Sequence, residues 1–195
     1  MPIEAASRWN ARYHDEARSS FERPRSLLLE FAHLLPSQGI ALDLAMGLGG
    51  NAGFLLQRGL HVLGVDISQL AVYIAKARLP NLMAVIADLE SFYIPLCTFD
   101  VIINFLYLQR DLWKTMVHAL KPNGILFIET LTEDMHPIHP EINPDFLLKT
   151  NELHNVFAQA EMRSWIDILV YREGWQESSK SHPRSVASLV ARRRS

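Results

Sequence analysis

Residues 41–68 read ALDLAMGLGGNAGFLLQRGLHVLGVDIS, and this stretch decides the fold. GIALDLA (39–45) is a buried strand that carries Asp43 near its end. Gly47, Gly49 and Gly50 follow within four positions, and Asn51 to Gly59 reads as a helix stopped by a glycine. LHVLGVDIS (60–68) is a second strand carrying Asp66, 23 positions after Asp43. Glycine between a strand and a helix permits a tight turn and lets backbone approach a ligand closely. In an open parallel sheet the ligand crevice lies outside the carboxyl ends of the strands, where these acids and glycines fall.

Outward from this unit the alternation continues. Ser68 is placed to cap a helix over QLAVYIAKAR (69–78), which stops before Pro80. NLMAVIAD (81–88) is a third strand ending at Asp88. CTFDVIINFLYL (97–108) is a fourth, with Asp100 near its start, where it bonds local backbone. Residues 110–120 form a helix, and LKPNGILFIETL (120–131) a turn and fifth strand. TEDMHPIHPEINPD (132–145) is a Pro-rich loop and FLLKTNELHNVFAQA (146–160) a helix. MRSWIDILVYREGW (162–175) and SVASLVARRR (185–194) alternate as two strands, joined as an antiparallel pair through QESSKSHPR (176–184). Before the first strand, residues 3–16 form a helix with Trp9 and Tyr13 on one side. RSSFERPR (18–25) breaks at Pro24, and RSLLLEFAHLLPSQG (25–39) forms an apolar helix. Strands alternating with helices through residue 130 imply a parallel sheet covered on both faces. No linker divides the 195 residues, so the expectation is one domain: an N-terminal helical arm (1–24), a ligand-binding core (25–130) and a substrate-side segment (131–195).

Bulk composition narrows the function classes. The chain is 49% hydrophobic and 21% charged, as in a soluble globular protein. A formal net charge of −2 does not suit a nucleic-acid binder. The N-terminus lacks the apolar core of about 7–15 residues that a signal peptide needs, and no window of about 20 apolar residues exists. A cytoplasmic protein is expected. The single cysteine, Cys97, excludes an intrachain disulfide framework and reads as a small core residue. His136 and His139 stand three apart in HPIHPE without a third ligand nearby, so no metal is expected. The basic tail ARRRS reads as a frayed, solvated end.

The glycine turn alone leaves two cofactor classes open. GLGGNA satisfies G-x-G-x-x-A, which a dinucleotide-binding oxidoreductase also uses, and Asp66 could accept ribose hydroxyls in either case. Three features favour a different ligand. Asp43 lies four residues before the first glycine, placed to hold an ammonium group. The loop carries no phosphate-binding lysine or arginine. A chain of this length offers no separate catalytic domain for hydride transfer.

The order DLAMGLGGN, VDIS, IADL, FDVIINFLYL, LKPNGILFIET resembles the class I S-adenosylmethionine-dependent methyltransferases. Within them the chain is similar to the small tellurite-resistance-type group, through RWNARY, GNAGFLLQRG, LYLQR and NPDFLLKTNELHNVF, over about residues 7–193. The resemblance implies an α/β, three-layer, doubly wound, mostly parallel seven-stranded sheet of order 3-2-1-4-5-7-6 with the last strand antiparallel. It implies S-adenosyl-L-methionine as cofactor. Carried over by position, Asp43 and the Gly47–Gly49 turn hold the methionine part, Asp66 takes the ribose, Asp88 with Leu89 the adenine, and Asn104 lines the floor near the methyl group. Ala45, Asn51 and Ile67 are further cofactor-binding positions. Tyr13 comes from an arm that covers the cofactor. The group usually reads CGEGRNA where this chain reads Met46, Gly47, Leu48, Gly49, Gly50, Asn51, Ala52, so an acid and an arginine are replaced by Leu48 and Gly50.

Strand four carries NFLYL and does not resemble the amino-methylating enzymes, whose signature is an Asn-Pro-Pro-aromatic motif there; the resemblance thus implies a small acceptor rather than a nucleobase or protein amide. A soft anionic acceptor, a thiolate or chalcogen oxyanion, needs no general base, whereas oxygen or nitrogen often does. Tyr107, Arg110 and His14 are the candidate catalytic groups, with Glu129 a further polar residue for acceptor handling. A noncatalytic S-adenosylmethionine-binding protein and an NAD-dependent oxidoreductase are the alternatives. Oligomeric state is not legible.

Overall fold

A computed structural model describes residues 2–15, 22–176 and 183–195. Most of the 176–184 connection and the first part of 18–25 lie outside the described residues. One seven-stranded sheet runs in the order β3-β2-β1-β4-β5-β7-β6. Its strands are β1 (Ile40–Leu44), β2 (His61–Asp66), β3 (Met83–Ile86), β4 (Phe99–Phe105), β5 (Leu120–Leu131), β6 (Ile166–Gln176) and β7 (Arg184–Arg193). β1 through β5 pair in parallel, and β7 inserts antiparallel between β5 and β6. The order and the antiparallel strand are those the resemblance implies.

Alternation along the central strands divides the core into two layers. Leu42, Leu44, Ile102, Leu126 and Ile128 face α5 (Leu112–Ala119) and α6 (Glu152–Ala158), packing on Trp113, Met116, Leu153 and Phe157. Ala41, Val62, Val101, Ile103 and Phe127 face α2 (Ser26–Glu30), α3 (Gly50–Gln57) and α4 (Gln69–Arg78), through Leu28, Leu55, Val72 and Ala75. Each fully buried Leu or Phe contributes about 1.5–3 kcal/mol, so both faces stabilise the central strands. The N-terminal helix α1 (Pro2–Asp15) lies outside these layers, with Tyr13 against Leu48 and Ala71.

Local chemistry ends the elements at both edges of the sheet. α3 closes on Gly59 at φ 93°, with Leu60 N–H donating to the Leu55 carbonyl and Gly59 N–H to Leu56. The Ser68 hydroxyl accepts from Ala71 N–H at 3.1 Å, capping α4 as its position suggests. Asp100 does more than local capping. Its Oδ2 accepts from Ile40 N–H at 2.7 Å and from Lys121 Nζ at 2.8 Å, tying the starts of β1, β4 and β5 together.

Several expected elements differ. The 25–39 helix is short: Phe31 leaves helical geometry (φ −100°, ψ 22°) and the chain tightens into a 3-10 turn at Ala32–Leu34. The helix expected over 146–160 begins only at Glu152, because Arg110 takes the carbonyls of Asp145 and Leu147 and Leu148 bridges to Thr132. A separate helix, α7 (Ala160–Arg163), occupies the first residues expected in β6. Cys97 is not a core residue: it is exposed, at φ 47°, on the turn into β4. The basic tail is not frayed either. Arg193 is buried and donates to the carbonyls of Val117, His118 and Leu120, and Arg194 pairs with Asp167. Among the described residues no helix is long and apolar enough to cross a membrane.

Candidate functional site

β1 runs into a turn built on left-handed backbone. Ala45, Gly47 and Gly49 have φ of 55°, 54° and 74°, and Gly49 N–H closes the turn on the Met46 carbonyl at 3.0 Å. Only glycine takes such angles without strain, which explains two of the three glycines. Gly49 then caps α3. Gly47 lies under α1: a Cβ there would come within 2.8 Å of the Tyr13 hydroxyl oxygen.

Two carboxylates flank the turn. Asp66 is buried at the end of β2, and its two oxygens accept from Gly47 N–H and Ser68 N–H, both at 2.8 Å. Burial raises its pKa, while the amides of Ser68, Gly47 and Ile67 pull it down. Asp43 is only 1% exposed, and its Oδ2 has no partner among the described residues. Its pKa stands well above the ordinary carboxylate value through burial first and the Asp66 charge second, with the Ala52 amide opposing. On the neighbouring strand β4, Asn104 is also buried and its Oδ1 has no partner among the described residues. Orphaned buried acceptors cost about 1–3 kcal/mol each, and a ligand that donates hydrogen bonds removes that cost. A ligand that carries an ammonium and hydroxyl or amino donors fits this set of acceptors at the ends of β1, β2 and β4.

Further along the same edge, Asp88 lies two residues past β3 and its side chain accepts from Glu90 N–H within its own turn, leaving Leu89 buried beside it. Ile67 is half-buried and directly follows Asp66. Tyr107 belongs to the same neighbourhood. Burial pushes its hydroxyl to about 12, helped by the charges of Asp88, Glu90 and Asp66. That hydroxyl donates to Gln109 Oε1 at 2.8 Å.

α1 docks on this edge through a residue that the sequence reading did not select. Asn10 Oδ1 accepts from the Ser68 hydroxyl at 2.7 Å and from Leu70 N–H at 3.2 Å, while Trp9 stacks on Tyr13. Its one legible signal is its place in RWNARY, one turn before Tyr13. The two departures around the glycines also find causes. Leu48 is fully buried under Tyr13, an apolar position by packing. Gly50 has no space for any side chain, since a Cβ would stand 2.6 Å from the backbone oxygen of Arg23. Asn51 lies at the start of α3 and accepts from Arg25 N–H at 2.8 Å.

The polar groups expected to handle an acceptor are largely engaged. Arg110 forks onto Glu152 and donates to the carbonyls of Asp145 and Leu147. Glu129 is fully buried at the end of β5: Arg25 donates to one oxygen at 2.5 and 3.0 Å, and Gln176 and Ser188 to the other. His14 is exposed on the last turn of α1. A cavity of about 570 Å³ opens between the segments following β4 and β5, lined by Arg110, Glu133, His136, Leu147, Lys149 and Glu152. His139, the second histidine of HPIHPE, lies 2.9 Å from Glu141.

Comparison with known proteins follows the same lines. Residues 41–124, from β1 to the start of the β5 run, match the family described as a methyltransferase domain. No curated relative matches the sequence. Among solved structures, one described under the conversion of a disulfide bond into a thioacetal group during echinomycin biosynthesis aligns at TM-score 0.69 and 19% identity, over 97% of this chain and 91% of that one. An S-adenosylmethionine-dependent methyltransferase from Mesorhizobium loti aligns at TM-score 0.66 and 19% identity, over 87% and 98%. TehB from Haemophilus influenzae aligns at TM-score 0.66 and 20% identity, over 86% of this chain and 62% of that one. These likenesses show a common fold. The matched domain supports an enzyme of the methyltransferase kind, whose cofactor, S-adenosylmethionine, fits the residues present.

Proposed function

We propose that this chain is an S-adenosylmethionine-dependent methyltransferase of the class I kind that acts in the cytoplasm on a small acceptor: a thiol, a chalcogen oxyanion or a similar soft nucleophile. The observation that carries the reading is the buried Oδ2 of Asp43 behind the glycine turn, without a partner among the described residues. When bound, the cofactor supplies a methyl group activated by its sulfonium.

The chain's residues bind and orient. Asp43, with Ala45, the Gly47–Gly49 turn and Asn51, holds the methionine end. Asp66 and Ile67 take the ribose, and Asp88 and Leu89 the adenine. Asn104 stands at the floor, and Tyr13 closes the site from α1. Fixing an acceptor in line with the reacting bond supplies roughly 7–11 kcal/mol of the barrier. Tyr107, whose hydroxyl burial pushes up to about 12, donates its proton to Gln109 and is not a base near neutrality. Arg110 and Glu129 are each consumed by protein partners. These three engaged groups favour an acceptor that brings its own negative charge. A fold neighbour described as converting a disulfide into a thioacetal favours sulfur in the same direction. The 25–130 core then binds cofactor, residues 1–24 cover it, and residues 131–195, with the cavity beside His136 and Lys149, admit the acceptor. TehB among the fold neighbours agrees with a tellurite-resistance-type subgroup.

Calorimetric titration with S-adenosylhomocysteine comes first, followed by a product-release screen over thiols, selenite, tellurite and small carboxylates. Binding with turnover on a thiol or chalcogen oxyanion is expected. Binding without turnover on any acceptor would assign a noncatalytic cofactor-binding role, and uptake of NAD in place of the sulfur nucleoside would overturn the reading.

A further inference from the structure

We infer that Arg78, on the last turn of α4, is a positioning residue for the cofactor turn, an inference that rests on the cofactor reading above. Its Nη2 donates to the Leu48 carbonyl at 2.5 Å. Its Nη1 donates to the Glu22 carbonyl at 3.4 Å and lies 3.5 Å from the Glu22 carboxylate. One guanidinium therefore joins the middle of the glycine turn to the segment that crosses it.

That segment, residues 22–25, works as a strap. Its backbone passes so close to Gly50 that a Cβ there would meet the Arg23 oxygen at 2.6 Å and the Glu22 carbonyl carbon at 2.8 Å. A cation on the turn itself at position 50 is therefore excluded, and Arg78 brings one to the same place from α4. At the strap's other end, Arg25 N–H bonds Asn51 and the Arg25 guanidinium bonds Glu129. The strap thus runs from the glycine turn to the end of β5.

The turn needs an external hold. Leu48 sits between two glycines in left-handed backbone, and glycine samples both signs of φ with little preference. With its carbonyl pinned by Arg78, the Leu48–Gly49 peptide has one orientation, and the surrounding turn keeps the shape that meets a ligand. A turn released from that hold must be ordered at the moment of binding, so the loss in affinity exceeds what the lost carbonyl bond takes from global stability.

The test compares parent, Arg78→Ala, Arg78→Lys and Glu22→Gln by S-adenosylhomocysteine calorimetry, thermal unfolding and amide exchange of the ligand-free proteins. Arg78→Ala should bind about tenfold more weakly, the size expected of a charged hydrogen bond, with a smaller fall in unfolding stability and faster exchange at residues 47–50. Arg78→Lys, which keeps one donor for the Leu48 carbonyl, should recover most of that loss, and Glu22→Gln should lose less than Arg78→Ala. Parent-like affinity and exchange in Arg78→Ala would overturn the inference alone. So would a loss of affinity that follows the unfolding temperature with exchange at 47–50 unmoved. A parent protein that binds no S-adenosylhomocysteine overturns the cofactor reading first and this inference with it.

Discussion

Asp43 and Asn104 stand one register step apart on adjacent parallel strands, Asp43 opposite Ile103 and Leu44 opposite Asn104, and each keeps a buried oxygen without a partner among the described residues. Because side chains alternate along a strand, the two point to opposite faces of the sheet at its carboxyl edge. Both therefore stand at the edge where an open parallel sheet offers its ligand crevice.

Asp43→Asn tests the carboxylate half of the pair. The folded-state pKa of Asp43 is raised by burial, so its stabilising contribution is complete below the ordinary carboxylate value and is lost as pH rises through the raised one. The variant should therefore be more stable than the parent at neutral pH, and the gap should close on acidification. Its affinity for S-adenosylhomocysteine should fall by at least about tenfold, as for a lost charged hydrogen bond. Parent affinity should rise with pH across the same interval and the variant's should not. Denaturant unfolding and calorimetry over a pH series read both effects.

Gly47→Ala combines backbone strain with a clash. Left-handed backbone costs a residue with a Cβ roughly 1–2 kcal/mol, and the new methyl would stand 2.8 Å from the Tyr13 hydroxyl but 3.5 Å from the ring carbon bearing it. Placing the same change in a Tyr13→Phe background removes the closer contact and leaves the strain. The double-mutant cycle should show a coupling of about 0.5–1 kcal/mol in denaturant unfolding. Strict additivity would mean that α1 does not rest on the turn.

The sheet and its ligand edge were legible in the sequence because their signals are local. Apolar runs closing on Asp43 and Asp66, and glycines where φ turns positive, report the turn within a dozen residues. The partners that complete the edge are not local. Arg25 reaches Glu129 across 104 positions and Ser68 meets Asn10 across 58, and no periodicity announces either. The delayed start of α6 had the same origin. Helical spacing over 146–160 was genuine, but Arg110 claims carbonyls of that segment from 35 and 37 positions away. Cys97 and Arg193 were misjudged for a related reason: exposure depends on where a turn emerges and where a tail lies down, which residue type does not specify.

Ala45 offers a change in the opposite direction to most. At φ 55° it holds left-handed backbone with a Cβ, in the turn that leaves β1. Strain of this kind costs about 1–2 kcal/mol, while replacing Ala by Gly costs about 0.4–1 kcal/mol through the unfolded chain. Ala45→Gly should therefore stabilise by up to roughly 1.6 kcal/mol in denaturant unfolding, the strain relief exceeding the entropic cost. A loss of stability would show that the alanine methyl packs well enough to outweigh its backbone angle.

Arg110 is the candidate whose role the geometry most constrains. Its guanidinium is spent on Glu152 and on the carbonyls of Asp145 and Leu147, the contacts that hold the segment between the Pro-rich loop and α6. Half-exposed ion pairs contribute little, and of the two carbonyls only that of Leu147 is part-buried, so Arg110→Ala should destabilise by about 0.5–1 kcal/mol. Affinity for S-adenosylhomocysteine should be unchanged, because none of these partners belongs to the glycine turn. Glu152→Gln, which keeps an oxygen acceptor and leaves both carbonyl bonds in place, should cost less. An Arg110→Ala protein of parental stability that turns over its acceptor with a raised KM would reverse the assignment. The guanidinium would then be free to hold the acceptor, and the clamp on residues 145–152 would contribute nothing.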